Sequence, residues 1–226
     1  MELKKVRASF KFESGIYSFL NPYSYYLVRN KKFDLDGWYI DGILLVWLLR
    51  VFGINVERVS FDMTSIAPLV LSKCVADGLS LAVIGSEEQY LNKFINVISE
   101  SYPRIKICYQ RNGYFKDNVQ MIESASDVNS SGADVVIVGM GAIHQENYLV
   151  ALKESGYQGA AFSCGGFIHQ TASGGGNYYP NWVDKYNIRW VYRIYDEPKL
   201  LRRYFIEYPK AIIFIGIDLI KNRNSV

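Results

Sequence analysis

Cysteine and histidine are scarce in this chain: three and two, respectively, in 226 residues. Cys74, Cys108 and Cys164 are an odd set with no CxxC spacing. That argues against a disulfide framework and a cysteine-held zinc site, and leaves the thiols as small core residues. A Walker A loop, a GxSxG elbow and a complete GxGxxG fingerprint are also missing. Gly139-Met-Gly141 is only a fragment of the last, which removes the main support for a dinucleotide cofactor. The apolar runs 43–52 and 211–220 are ten residues each, too short to span a bilayer. Nothing at the N-terminus reads as a secretory leader, and the expected location is the cytoplasm.

Apolar and aromatic mass is plentiful. Hydrophobic residues make up 50% and charged residues 21%, enough for a substantial core and unlike a disordered chain. Aromatics reach 15%, with 18 tyrosines, a residue suited to half-wet surfaces such as sugar sites and membrane interfaces. The net charge of +3 is uneven: residues 187–226 hold eight Lys/Arg against four Asp/Glu, leaving the rest slightly acidic. These basic residues sit among Trp and Ile rather than along a groove, so nucleic acid is not an expected partner.

From residue 62 onward apolar runs alternate with helical patterns. Helices are expected over 62–77, 86–101, 116–127 and 142–155, and strands over 79–85, 105–109, 134–140 and 159–164. Ser86 with Gln89 has capping-box spacing. Residues 43–52 are apolar on every face and read as a buried helix. This rhythm predicts an α/β fold: a Rossmann-like, mostly parallel sheet with helices on both faces, and a ligand at the carboxyl ends of the strands. After Gly174-Gly-Gly176 the pattern becomes basic and amphipathic. We therefore divide the chain into a Rossmann-like domain, 1–176, and a C-terminal appendage, 177–226, of a kind that lies on anionic membranes. The alternative is a helix packed on the core with a solvated basic face.

Two segments fit strands that open onto a crevice: 134–146, ending Gly139-Met-Gly141-Ala-Ile-His144-Gln145-Glu146, and 163–170, Ser-Cys-Gly165-Gly166-Phe-Ile-His169-Gln170. Their glycines allow close backbone approach, and a helix start offers free N–H groups to a phosphorylated ligand. Gln145 and Glu146 could hydrogen-bond hydroxyls. Asp41-Gly42 reads either as a base at a strand end or as an Asx turn capping the next helix. Arg58 reads either as a diphosphate clamp or as a surface ion pair. Asp34-Leu-Asp36 has DxD spacing for a divalent metal, but no apolar strand precedes it.

Taken in order, Asp41-Gly42, Glu57-Arg58-Val59, Gly113-Tyr114-Phe115, Gly139-Met-Gly-Ala142 with Gln145-Glu146, Gly165-Gly166, Trp190-Val-Tyr-Arg193 with Glu197-Pro198, and Arg202-Arg203-Tyr204 resemble the WecG/TagA/CpsF family of bacterial glycosyltransferases over about residues 21–208. The resemblance implies inverting transfer from a UDP-sugar to a saccharide on a polyprenyl diphosphate, in surface polysaccharide synthesis. It implies no metal, and a peripheral place on the inner face of the cell membrane; a homo-oligomer is compatible with it. It makes Asp41 the general base, Arg58 and Gln145 catalytic-pocket residues, and Tyr114 with Gly165–His169 the surroundings of the uridine. Arg193, Arg202 and Arg203 would meet the lipid diphosphate. It also implies that a chain lacking 188–226 would still bind UDP without transferring sugar. Departures cluster at the pocket. Asn21-Pro22-Tyr23 stands for Thr-Pro-Asn, Ile143-His144 for Pro-Lys, and Ile168-His169 for Phe-Asp. They leave the donor sugar open. They also keep a non-catalytic nucleotide-binding subunit and a metal-dependent DxD enzyme as alternatives.

Overall fold

The computed structural model describes residues 5–174, 194–195 and 200–223. Six strands form one sheet: β1 (Gly15–Leu20), β2 (Gly37–Ile40), β3 (Ser80–Gly85), β4 (Lys106–Arg111), β5 (Val135–Gly139) and β6 (Ala160–Ser163). Every pairing is parallel, in the order β2-β1-β6-β5-β3-β4. β5 is Val-Val-Ile-Val-Gly and buried throughout, as an inner parallel strand covered on both faces must be. Only the edge strand β4 alternates between exposed and half-buried positions.

The period-two alternation of side chains divides the core in two. Ile16, Leu20, Ala82, Ile84, Val136 and Val138 face one way, and Tyr17, Phe19, Leu81, Val83, Val135 and Ile137 the other. The first face is covered by α1 (Pro22–Val28), α2 (Ile43–Val51), α5 (Asn118–Ser130) and α6 (His144–Glu154). The second is covered by α3 (Ala67–Asp77), α4 (Glu88–Ser101) and α7 (Phe167–Gly174). Doubly covered parallel strands leave their carboxyl ends free to carry loops, and the site lies there.

The C-terminal segment belongs to the first layer. A helical turn at Leu200–Arg202 passes through a π-helical turn at Arg203–Glu207 into α8 (Tyr208–Arg223). Ala211, Ile215 and Leu219 of α8 are buried in the core beside Tyr25, Leu45 and Leu49. Arg29 of α1 donates to both carboxylate oxygens of Asp218 at 2.8 and 2.7 Å, and the Tyr25 hydroxyl donates at 3.1 Å. The same guanidinium lies 4.5 Å over the Phe214 ring, which stacks on Tyr26. Removing 188–226 would therefore open the core rather than trim an accessory. The outer face of α8 carries exposed Ile213, Ile217 and Ile220. Among the described residues no helix is long and apolar enough to cross a membrane.

Several expectations shift. α2 buries only Leu45, Val46 and Leu49, while Trp47 is 58% exposed, so the helix is not apolar-buried all round. The helix expected from 62 begins at Ala67, because the Asp62 carboxylate holds a turn by accepting from the Thr64 amide and hydroxyl. Ser86 does not cap α4. Its φ is +59° and Glu87 is the cap residue, with no side-chain bond. At α2 the cap residue is Gly42 rather than Asp41. The 176/177 boundary and Arg193 lie outside the described residues.

Burial alone would raise the Asp218 carboxyl, but the bonds from Arg29 and Tyr25 outweigh it and hold the group below the ordinary aspartate range. A depressed folded value means the stabilisation is complete above the unfolded value, about 3.9, and is lost as pH falls through the lower folded one. Asp218→Asn should therefore cost about 2 kcal/mol at neutral pH. Urea unfolding at a series of pH values should show the gap to wild type closing below about pH 4.

Candidate active site

Three glycines bring the strand ends together. Gly85 at the end of β3 has φ +144°, and a Cβ there would run into the Gly139 carbonyl oxygen. Gly113 also leaves little room, its Cβ position being 3.0 Å from Gly85 Cα. The Ser86 amide donates to Gly139 O at 3.0 Å and the Gly113 amide to Ser86 O at 2.9 Å, so the loops after β3, β4 and β5 are locked together. Above them opens a cleft of about 1650 Å³.

Asp41 and Arg58 form one wall. The Asp41 amide is tied to Leu20 O at 2.8 Å, which fixes the loop after β2 to the end of β1. Arg58 pairs with Ile40 in a parallel bridge, and the Val59 amide bonds to Ile40 O. The Arg58 guanidinium thus reaches Asp41 twice, through Nε to the backbone oxygen (2.8 Å) and Nη2 to Oδ1 (3.3 Å), and also bonds Ser60 Oγ at 3.2 Å. Gly42 is needed for space: its Cβ would sit 2.8 Å from Pro22 Cδ. The two loops are therefore pressed together. Asn21 caps α1 by accepting from the Ser24 amide at 3.0 Å, and also accepts from Arg203 Nη2 at 3.3 Å. Arg203 lies 4.3 Å over the Tyr23 ring, and its Nε is buried with no hydrogen-bond partner among the described residues.

The opposite wall comes from the two glycine-ended strands. Gly139, Gly141, His144, Gln145, Gly165, Gly166, His169 and Gln170 all line the cleft. His169 meets the Tyr90 ring at 4.2 Å between centroids. Tyr114, 68% exposed, stands at the rim. Asn21, Tyr23, Asp41, Arg58 and Arg203 also line it, so of the described residues assigned to the sugar-transfer site from sequence all but Glu146 and Arg202 are gathered here. Glu146 is wholly buried behind the wall, so it does not reach a ligand hydroxyl. Arg202 points to solvent, with an 80% exposed side chain. The cleft also includes Ser86, Lys116, Asp117, Trp47, Tyr204 and Tyr208. Their position just beyond β3 and β4 marks the first three; nothing in an apolar helical run marked Trp47.

Asp34 and Asp36 lie at the other end of the sheet. The Asp36 carboxylate accepts from the Ile16 amide near the start of β1, and Lys153 pairs with both aspartates. Bonds from Lys153 and Lys5 hold the Asp34 carboxyl below its ordinary range. This DxD pair does not face the cleft. Among the described residues no group of three His, Cys, Asp or Glu converges as a metal site would require. Burial pushes the Cys74 thiol up to about 12 and raises Cys164 as well, which makes both poor nucleophiles. Cys108 is exposed rather than in the core.

A sequence profile of the Glycosyl transferase WecG/TagA/CpsF family matches residues 6–225. The chain belongs to this family. It is a glycosyltransferase. Among its relatives is the UDP-Gal:alpha-D-GlcNAc-diphosphoundecaprenol beta-1,4-galactosyltransferase of Shigella boydii, 37% identical over 212 residues, spanning 92% of this chain and 89% of that one. N-acetylglucosaminyldiphosphoundecaprenol N-acetyl-beta-D-mannosaminyltransferases are more distant. The one from Bacillus subtilis is 26% identical over 131 residues (58% of this chain, 49% of that one), and that from Bacillus spizizenii 24% over 202 residues (88% and 74%).

Gly85→Ala tests the glycine pinch. It forces a side chain onto a carbonyl and into a φ that L residues rarely adopt. It should lower the stability of this glycosyltransferase by about 2–3 kcal/mol in denaturant titration, with nucleotide binding reduced in parallel.

Proposed function

We propose that the chain transfers a sugar, with inversion, from a UDP-sugar to N-acetylglucosamine carried on diphosphoundecaprenol, and that galactose is the donor sugar. The reading rests on the Asp41–Arg58 pair in the wall of a large cleft, in a chain that matches a galactosyltransferase of this acceptor class along nearly its whole length. The pocket departures from the usual family pattern fit a donor other than N-acetylmannosamine.

Asp41 takes the proton of the acceptor hydroxyl as that oxygen bonds to the anomeric carbon. The carbon–oxygen bond to the diphosphate breaks on the opposite face, and UDP leaves with the electron pair. Arg58 holds the base and offers its remaining N–H groups to the cleft. Charge on the leaving diphosphate is met by cationic side chains, Arg58, Lys116 and Arg203. The Arg203 Nε, buried and without a partner among the described residues, supports this, since an anion would satisfy it. No metal is invoked. The exposed isoleucines of α8, flanked by Lys210 and Lys221, would rest on the anionic inner leaflet, with Arg202 and Arg193 at the lipid diphosphate.

The test is transfer from UDP-galactose to a lipid-linked N-acetylglucosamine acceptor in vesicles, in the presence of EDTA, with the product mass as readout. Asp41→Asn should lower turnover by about 10²–10⁴-fold and leave UDP affinity unchanged. Turnover by Asp41→Asn at the wild-type rate would remove Asp41 as the base. Transfer only after Mn²⁺ is added would remove the metal-free mechanism.

A further inference from the structure

Glu146 is a carboxylate with no exposed surface and, among the described residues, no cation beside it. Its Oε2 accepts from the Ile143 amide at 2.5 Å. Its Oε1 accepts from Ser18 Oγ at 2.6 Å and Gln145 Nε2 at 2.9 Å. The sheet has been cut to receive it. Ser18 and Ser163, adjacent on β1 and β6, stand on the α6 face where the neighbouring positions are Ile16, Leu20 and Ala161. Because the single Ser18 proton goes to Glu146, Ser163 Oγ must donate to Ser18 (2.8 Å), while itself accepting from the Phe19 amide at 3.2 Å. Donors run one way, from strand backbone to carboxylate.

The consequence reaches the cleft through Gln145. With Nε2 turned to Glu146, its Oε1 accepts from the Gly165 amide at 3.3 Å. One carboxylate therefore fixes which end of a cleft-lining carboxamide faces which way, and through it the Gly165-Gly166 loop. Through Ile143 it also holds a β-branched residue at φ +76°, a conformation that persists only when its surroundings impose it. We infer that Glu146 is a positioning residue for sugar transfer: it touches no substrate, and orients Gln145 and the Gly165 loop for the reacting groups. This rests on the glycosyltransfer reading above.

Glu146→Gln is nearly isosteric but has one acceptor oxygen. If that oxygen stays toward Ser18 and Gln145, its NH₂ opposes the Ile143 amide. If it turns to Ile143, Gln145 must flip and its NH₂ opposes the Gly165 amide. Either way a backbone donor is left facing a donor. Turnover of Glu146→Gln should fall about 10²-fold, the scale of a small misplacement at a reacting centre, with the loss falling mainly on kcat and only a minor part on donor KM. The double variant Gln145→Ala/Glu146→Gln should be no slower than Gln145→Ala, because both act through one group. Multiplying losses, or wild-type turnover in Glu146→Gln, would overturn the inference.

A second readout needs no activity. In ¹⁵N-labelled full-length protein, the Gln145 side-chain amide and the Gly165 amide should exchange slowly with D₂O, and quickly in Glu146→Gln. Unchanged exchange would overturn the inference. Failure of wild type to transfer any sugar would sink the substrate reading and leave this measurement to decide the positioning role. If Glu146→Gln does not fold, Ser18→Ala, which removes one donor to the carboxylate, should speed exchange of the Gln145 amide; no change would again count against the role.

Discussion

A sheet whose strands all run one way gathers every strand-to-helix loop at one edge, and the function of this chain depends on that constraint. The loops there are pressed together closely enough to exclude side chains. Gly85 meets the Gly139 carbonyl, and Gly42 meets the Pro22 ring. These contacts are purely steric, yet they set how far Asp41 stands from the wall that carries His144, Gln145 and Gly165. The polar groups are then fixed by short bonds to backbone, as when Arg58 grips both the carbonyl and the carboxylate of Asp41.

The parallel sheet was legible because β3, β5 and β6 are short apolar runs closed by glycine or serine, and because helical patterns separate them. The location of the site was legible for the same reason: glycine at the end of an inner strand gives up packing area, and what it gains is room for another backbone or a ligand. What the sequence hid were matters of direction. Glu146 and Gln145 are adjacent polar residues at a helix start, and nothing local says that one faces the cleft and the other the sheet. Ser18 and Ser163 carried that information, since each interrupts an apolar strand, but it is read only once β1 and β6 are known to be neighbours. Ser86 misled for a related reason. Its capping spacing is genuine, but the bond between its amide and Gly139 O claims the backbone first. Trp47 lies in a run apolar all round, so periodicity could not say which side would meet solvent.

The C-terminal segment shows how a polar pair can decide between two readings of one amphipathic pattern. Its basic and apolar residues suit a membrane surface or a protein surface equally. The Arg29–Asp218 bonds, with Phe214 under the guanidinium, hold one face of α8 on α1 and leave Ile213, Ile217 and Ile220 outward. α1, the helix it grips, begins with Asn21 and Tyr23 at the cleft, where Arg203 also arrives. Whatever displaces α8 therefore reaches the cleft through a rigid helix of seven residues.

This arrangement bears on how an enzyme can hold several charged side chains in one pocket before its substrates arrive. Arg58 is neutralised by Asp41, and Arg203 is spread over the Tyr23 ring and the Asn21 oxygen. Glu146 relies on three neutral donors, two of which, the Ile143 amide and the Ser18 hydroxyl, belong to the helix start and to β1 behind the wall. Glu146 is buried, whereas Arg58 and Asp41 keep 34% and 38% of their side-chain surface exposed and are held by pairing with each other. The cost appears as local strain, at Ile143 and Ser86, both with positive φ and both beside the cleft. Strain of that kind is tolerable only where the surrounding core is well packed, and here the strained residues follow the ends of β5 and β3, two strands buried along almost their whole length.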